Sequence, residues 1–246
     1  MSQAPDSNNK LHNLILSALP QDEYERLQPH LIDVELVKGE IVYEPESHIP
    51  FVVFPYTGSI SIVAVMADGA QVEVGLTGRE GMVGLPLVLG TDRAPFRAMV
   101  QIPGAGVKMK SEAFKDETSR CGEMYRLLLR YSQAFFVNAA MAAACNRLHK
   151  IDARLARWLL TAEDRAQTAD LKLTHEFLSI MLGTRRAGVT EAVGRMQSDG
   201  LIENSRGQIR ILDQRGLEAA SCECYGVVRN EFSRLLGGET HFGAAR

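Results

Sequence analysis

The sequence predicts an α+β chain in three parts: an antiparallel β-domain, one long helix and a C-terminal winged helix-turn-helix. Three observations predict it. Short apolar runs set off by Gly, Pro and Asp-Gly signals fill residues 32–109. A stretch from Ser111 to about Asp164 is nearly free of Gly and Pro and rich in Leu, Ala, Met and Arg, which favour helix. The stretch Leu173–Leu212 then reads as two short helices, a tight turn and a β-hairpin.

Residues 1 to 10 are polar and read as disordered. Two short helical patterns follow, Leu11 to Leu19 and, after Pro20, Gln21 to Leu31; they suit a lid or lead-in segment. The runs Val34–Val37, Phe51–Phe54, Ser59–Val65, Val72–Leu76 and Phe96–Ile102 read as strands, with Lys38-Gly39-Glu40 and Asp68-Gly69 as turns. Their spacing implies an antiparallel barrel or sandwich of about eighty residues.

In the long helix, Met124, Leu128, Tyr131, Phe135, Asn138, Ala142 and Cys145 alternate steps of four and three. This is a heptad seam, and the expectation is a dimerisation helix in which Asn138 fixes register. The alternative is a helix buried against its own barrel. The segment from Asn146 to Arg157 is basic and amphipathic, and it reads as the hinge and first helix of the C-terminal domain.

Thr174 is placed to cap a helix with Phe177, Leu178, Met181 and Leu182 on one apolar face, and Gly183 breaks it. Thr184 can cap the second helix, where Val189, Ala192, Val193 and Met196 form the buried face and Gly200 follows as the C′ glycine. The free face carries Arg185, Arg186 and Thr190, residue types that reach guanine edges, phosphates and thymine methyls in a major groove. Glu191 adjoins them, either accepting from cytosine N4 or orienting Arg186, and Arg195 lies further along. Around the turn Asn204-Ser205-Arg206-Gly207, Ile209 and Ile211 alternate with Gln208 and Arg210, which makes a wing with a basic tip. The expectation is that Arg186 reads a base while Arg185 and Arg206 hold phosphates. Leu217 to Leu236 reads as a last helix ending at Gly237-Gly238. The expected divisions are 1–31, tail and lead-in helices; 32–110, β-domain; 111–150, dimerisation helix; 151–225, winged helix-turn-helix; and 226–246, helix end and tail.

Composition narrows the class. With 246 residues, 46% apolar and 23% charged, the chain is ordinary globular protein. A net charge of −3 gives no global pull on nucleic acid, so basic residues must be segregated; from Leu182 to Leu212 arginines outnumber acids by five to three. No apolar run is long enough for a membrane span, and the first residues lack a secretory signal's basic and apolar regions; the expectation is a cytoplasmic protein that does not engage membranes. Four cysteines, at 121, 145, 222 and 224, are too few and unevenly placed for a disulfide framework, so reduced thiols are expected.

With a β-domain, a seam helix and a winged helix-turn-helix in this order, the chain resembles the Crp/Fnr family of bacterial transcription regulators over nearly its full length. The stretches LGTRRAGVTEAVGRMQSDGLI and GREGMVGLPLVLGTDRAPFRAMV carry the resemblance most specifically. The β-domain stretch of the two is similar to that family's phosphate-binding cassette in a cyclic-nucleotide-binding-like β-roll. The resemblance implies a homodimer on palindromic double-stranded DNA, with RNA polymerase as a partner. In relatives that bind cyclic nucleotides, a Gly-Glu pair and an Arg-Ser or Arg-Thr pair hold ribose and phosphate; here Gly84 precedes Leu85, and Arg93 precedes Ala94-Pro95. An unpaired ribose hydroxyl would cost about 1 to 3 kcal/mol, which argues against cyclic nucleotide. Gly84, Arg93 and Arg97 remain candidates for another ligand. The family's oxygen-sensing branch clusters cysteines near the N-terminus, whereas this chain has none before Cys121, so no iron-sulfur cluster is expected. Cys222 and Cys224 on a helix would point about 200° apart, so no joint metal ligation is expected of them either.

The reading is therefore a DNA-binding regulator with a sensor-like β-roll of unknown signal and no predicted cofactor. The alternatives are a cyclic-nucleotide-responsive regulator of the same architecture and a module acting through protein contacts. Catalysis is not expected: His175-Glu176 opens an H-E-x-x-H pattern that fails at Ser179, and there is no G-x-S-x-G, Walker or Rossmann motif.

Overall fold

Asn13 caps the first helix and pins it to the β-domain in the computed structural model, which describes residues 12–166 and 168–236. Its Oδ1 accepts from the amides of Ile15 and Leu16, and its Nδ2 donates to the carbonyls of Pro55 and Gly81, both at 2.9 Å. Helices α1 (Leu14–Ser17) and α2 (Gln21–Leu27, running into a 3-10 turn at Gln28–His30) match the two lead-in patterns in shorter form. The tail expected at residues 1 to 10 lies outside the described residues.

Seven strands follow: β1 (Ile32–Leu36), β2 (Ile41–Tyr43), β3 (Phe51–Pro55), β4 (Ser59–Val65), β5 (Gln71–Thr77), β6 (Arg97–Ile102) and β7 (Gly104–Lys110). They form two antiparallel sheets ordered β1-β7-β3 and β2-β6-β4-β5, with Val52, Phe54, Ile60 and Val107 in the core between them. Gly39 and Gly69 both sit at φ +83°, as the two predicted turns require. Two strands escape the sequence pattern. β2 has only three residues, and β7 opens Gly-Ala-Gly, where a Cβ on Gly106 would meet the Phe54 carbonyl at 2.5 Å.

The long helix expected from Ser111 to the hinge is two, α3 (Ser111–Ser119) and α4 (Glu123–Leu148), and α5 (Ile151–Ala166) follows the hinge. Cys121 at φ +55° makes the first break, and the Glu23 carboxylate accepts from the amides of Glu123 and Met124, supplying α4 with an anionic cap. The second break is at His149, whose backbone is extended.

The seam of α4 requires a correction. Met124, Leu128, Tyr131 and Asn138 are buried within the chain itself, the Tyr131 hydroxyl donates to the Met82 carbonyl at 3.1 Å, and Phe135 packs over Gly75 of β5. Of the six residues expected at a dimer contact, only Phe135 and Ala142 keep partial exposure. A stripe of apolar residues at helical spacing serves the barrel as readily as a partner, and here it faces the barrel.

The C-terminal part comprises β8 (Asp170–Leu171), α6 (His175–Met181), α7 (Arg186–Ser198), β9 (Ile202–Ser205), β10 (Gln208–Ile211), α8 (Gln214–Ala220) and α9 (Cys224–Leu236). The wing is a three-stranded sheet ordered β8-β10-β9, one strand more than the hairpin expected. The last helix, expected unbroken from Leu217, is interrupted at residues 221–223, and its predicted glycine stop lies outside the described residues. This part docks on the β-domain. Val63, Leu76 and Ile102 share a core with Leu155, Leu159 and Met181, and the Trp158 indole donates to Glu73 at 2.8 Å. Burial raises the Glu73 carboxyl above its ordinary range, against the hydrogen bonds from Ser61 and Trp158. Arg165 and Glu80, both almost fully buried, pair at 3.1 Å across the same junction. Among the described residues, no helix is long and apolar enough to cross a membrane.

Candidate nucleic-acid interface

Thr174 caps α6, its hydroxyl accepting from the Phe177 amide at 3.2 Å, and Gly183 at φ +55° turns the chain into α7. The cap of α7 differs from expectation. Arg185, not Thr184, is the N-cap residue and gives no side-chain cap bond, because the turn closed by the Thr184 amide on the Ser179 carbonyl starts the helix one residue later. At the other end, Gly200 at φ +73° lets the Gly200 and Leu201 amides donate back to Gln197 and Met196, a Schellman stop. Val189, Ala192, Val193 and Met196 are all buried, which turns Arg185, Arg186, Thr190 and Glu191 outward; Thr184 is half-buried at the turn.

The outward residues are positioned to different degrees. The Thr190 hydroxyl donates to the Arg186 carbonyl at 3.1 Å and lies 3.0 Å from His175 Nδ1, whose Nε2 is 3.3 Å from the Asn204 amide nitrogen. This chain joins α6, α7 and the wing. The Arg186 guanidinium lies 4.0 Å from Glu176 and stays 69% exposed, so it can swing toward a ligand. Arg195 is held: its guanidinium donates to both oxygens of Asp152 at 2.8 and 3.1 Å, tying α7 to α5 and turning it from a groove-facing group into a brace. Asp152 raises the Arg195 pKa by that hydrogen bonding. Arg206, at φ +48°, and Gly207, at φ +78°, form the two-residue tip between β9 and β10 and leave Arg206 in solvent.

The candidate ligand residues of the β-domain do not come together. Gly84 lines a cavity of about 290 Å³ whose walls are otherwise apolar for the most part, including Ile62, Leu85, Pro86, Phe96 and Phe135. Arg93 donates to the Glu46 carbonyl at 2.7 Å and Arg97 to Glu44 at 2.8 Å, so neither guanidinium reaches the cavity. No charged side chain stands among the described lining residues. A separate group escaped the sequence reading: Cys145, His149, Cys222 and Cys224 present ligand atoms within 4.8 Å of one another. Cys222 precedes α9 and is not helical, so a helical angle does not separate its sulfur from that of Cys224. The usable signal was the i,i+4 spacing of Cys145 and His149 at the end of α4.

The model of one family, the Crp-like helix-turn-helix domain, matches residues 153–220, the segment that holds α6, α7 and the wing. This segment is similar to a Crp-like helix-turn-helix domain. The rest of the chain has matching company. FixK2 from Bradyrhizobium japonicum aligns with a TM-score of 0.67 at 16% identity, over 78% of this chain and 98% of its own. The c-di-GMP responsive global regulator CLP of Xanthomonas campestris aligns at 0.62 and 16%, over 79% and 100%. A CRP/FNR-family transcriptional regulator from Thermus thermophilus aligns at 0.52 and 20%, over 77% and 98%. No curated protein matches the sequence. The chain therefore shares the fold of these solved structures, a β-roll, a spine helix and a C-terminal domain matched by the Crp-like model.

Proposed function

We propose that the chain is a homodimeric, sequence-specific DNA-binding transcription regulator of the cytoplasm. The observation that carries this reading is the division of α7: one face closes the core of the Crp-like domain, and the other exposes Arg185, Arg186, Thr190 and Glu191 beside a basic wing tip. Helix α7 enters the major groove, Arg186 reads a base through a bidentate pair, and Arg185 and Arg206 hold phosphates. Because the expected seam is spent on the barrel, the dimer forms through the opposite side of α4. There Leu129 and Phe136, 43% and 67% exposed, align with the exposed Ala140 and Ala143. Two-fold symmetry then calls for half-sites about one helical turn, near 34 Å, apart, and RNA polymerase is the downstream partner.

The β-roll supports a sensor with a different ligand chemistry from a cyclic nucleotide. Its cavity offers apolar walls and no guanidinium, so an apolar small molecule fits and a cyclic phosphate does not. Phe135 and Phe136 of α4 line the cavity, so occupancy would bear directly on the helix that pairs the subunits. Selection of bound duplexes from a random pool by mobility shift tests the whole reading. A palindromic motif is the expected result, and binding with no sequence preference, or none at all, overturns it. In calorimetry, a micromolar isotherm with cyclic AMP or cyclic GMP would overturn the reading of the cavity.

A further inference from the structure

The last turn of α4 and the short link before α9 place four metal-ligating side chains in one spot. Cys145 Sγ lies 3.5 Å from Cys222 Sγ, and Cys224 Sγ lies 3.6 Å from His149 Nδ1. All four ligand atoms lie within 4.8 Å of one another. A zinc ion with Zn–S near 2.3 Å and Zn–N near 2.0 Å in a tetrahedron sets its S···S edges at about 3.8 Å and its S···N edges at about 3.6 Å. The two separations of 3.5 and 3.6 Å lie within a few tenths of an ångström of those edges. An iron-sulfur cluster spreads its thiolates over several irons, whereas these donors converge on one point.

The surroundings fit the same ion. His149 Nε2 lies 3.3 Å from a carboxylate oxygen of Glu223, so the imidazole presents Nδ1 inward while an acidic partner fixes its tautomer, as at many zinc-binding histidines. Three thiolates and a neutral histidine around Zn²⁺ carry a net charge of −1. Arg157 and Arg154 flank the cysteines, each is 8% exposed, and the Nε of each is buried without a hydrogen-bond partner among the described residues. An anionic complex at this position gives those cations a counter-charge.

We propose that Cys145, His149, Cys222 and Cys224 form a Cys3His site for one zinc ion. All four coordination positions are filled by protein, so the site is structural and leaves no place for a substrate. Loading it releases the three thiol protons to solvent and needs neither oxidant nor reductant. Its place in the fold gives it a consequence. The site ties the end of the spine helix to the start of α9 and so brackets the His149-Lys150 hinge, fixing the angle at which the Crp-like domain leaves α4.

The test uses the full-length protein purified under reducing conditions, with zinc measured by elemental analysis and by native mass spectrometry. About one ion per chain is expected. Cys145→Ser with Cys222→Ser should lower the content at least tenfold, while Cys121→Ser, an exposed thiol outside the group, should retain it. Since the double variant removes buried side chains, the wild type supplies an independent readout. Exchange with Co²⁺ should give tetrahedral d–d bands and a thiolate-to-cobalt charge-transfer band, and chelation should lower Tm in a way that added zinc reverses. Folded, reduced wild-type protein that takes up neither stoichiometric zinc nor Co²⁺ in a thiolate environment overturns the proposal. So does stoichiometric iron in place of zinc, or zinc retained in full by the double variant.

Discussion

Arg186 and Arg195 sit on one helix, yet of the two it is Arg195 that is braced, by both oxygens of Asp152. Arg186 has a single distant acidic neighbour, so replacing it with Ala costs the Crp-like domain little stability. It should cost operator binding about 1 to 3 kcal/mol and relax preference at one position in each half-site. Arg206→Ala should instead weaken binding to all sequences and lower the slope of log K against log salt by about one. Mobility shifts over a salt series distinguish the two. Arg195→Ala, by contrast, should leave the selected motif unchanged and reduce thermal stability, because its carboxylate partner is in the same chain. The helical period of Val189, Ala192, Val193 and Met196 was enough to turn Arg186 outward. It said nothing of Arg195, whose partner Asp152 is 43 residues away on another helix.

Helix α4 shows why periodicity identifies a buried face without naming what buries it. Leu128 is fully buried against its own domain, so Leu128→Glu should unfold the protein by placing a charge in an apolar core. Leu129→Glu with Phe136→Glu should keep the fold and yield a monomer, and sedimentation with circular dichroism reads both outcomes. Helix α5 carries a titration of its own. Burial raises the Asp164 carboxyl to about 7, against the hydrogen bond that the Tyr225 hydroxyl donates at 2.8 Å. The folded state therefore holds this proton up to about pH 7, while the unfolded chain releases it near pH 4. Between those limits the folded state binds more protons, so stability falls as pH rises, by at most about 4 kcal/mol, and Asp164→Asn should flatten that slope in urea titrations. Of the breaks at His149 and Ser221–Glu223, the first fell inside the basic hinge stretch Asn146–Arg157, while the second was not legible, since no Gly or Pro marks it. Without the second break, Cys222 would have stayed on a helix and apart from Cys224.

The architecture was legible at the largest scale because the period of apolar residues switches from two to 3.6 near Ser111 and back again at the wing. How the parts lean on each other was not. Trp158 and Glu73, 85 residues apart, meet at the junction with no mark in either local pattern, and so do Arg165 and Glu80. Here the common core matters beyond holding a pose. Val63, Leu76 and Ile102 of the β-roll are packed among residues of the Crp-like domain, so neither part has a complete apolar interior without the other. Melting should then be cooperative. Fluorescence of Trp158, the sole tryptophan, and far-ultraviolet circular dichroism should report one coincident midpoint, and two separated midpoints would show that the parts unfold independently. A fragment cut near Ile151 would carry Leu155, Leu159 and Met181 with their β-roll neighbours stripped away. It would be expected to aggregate more readily than the intact chain.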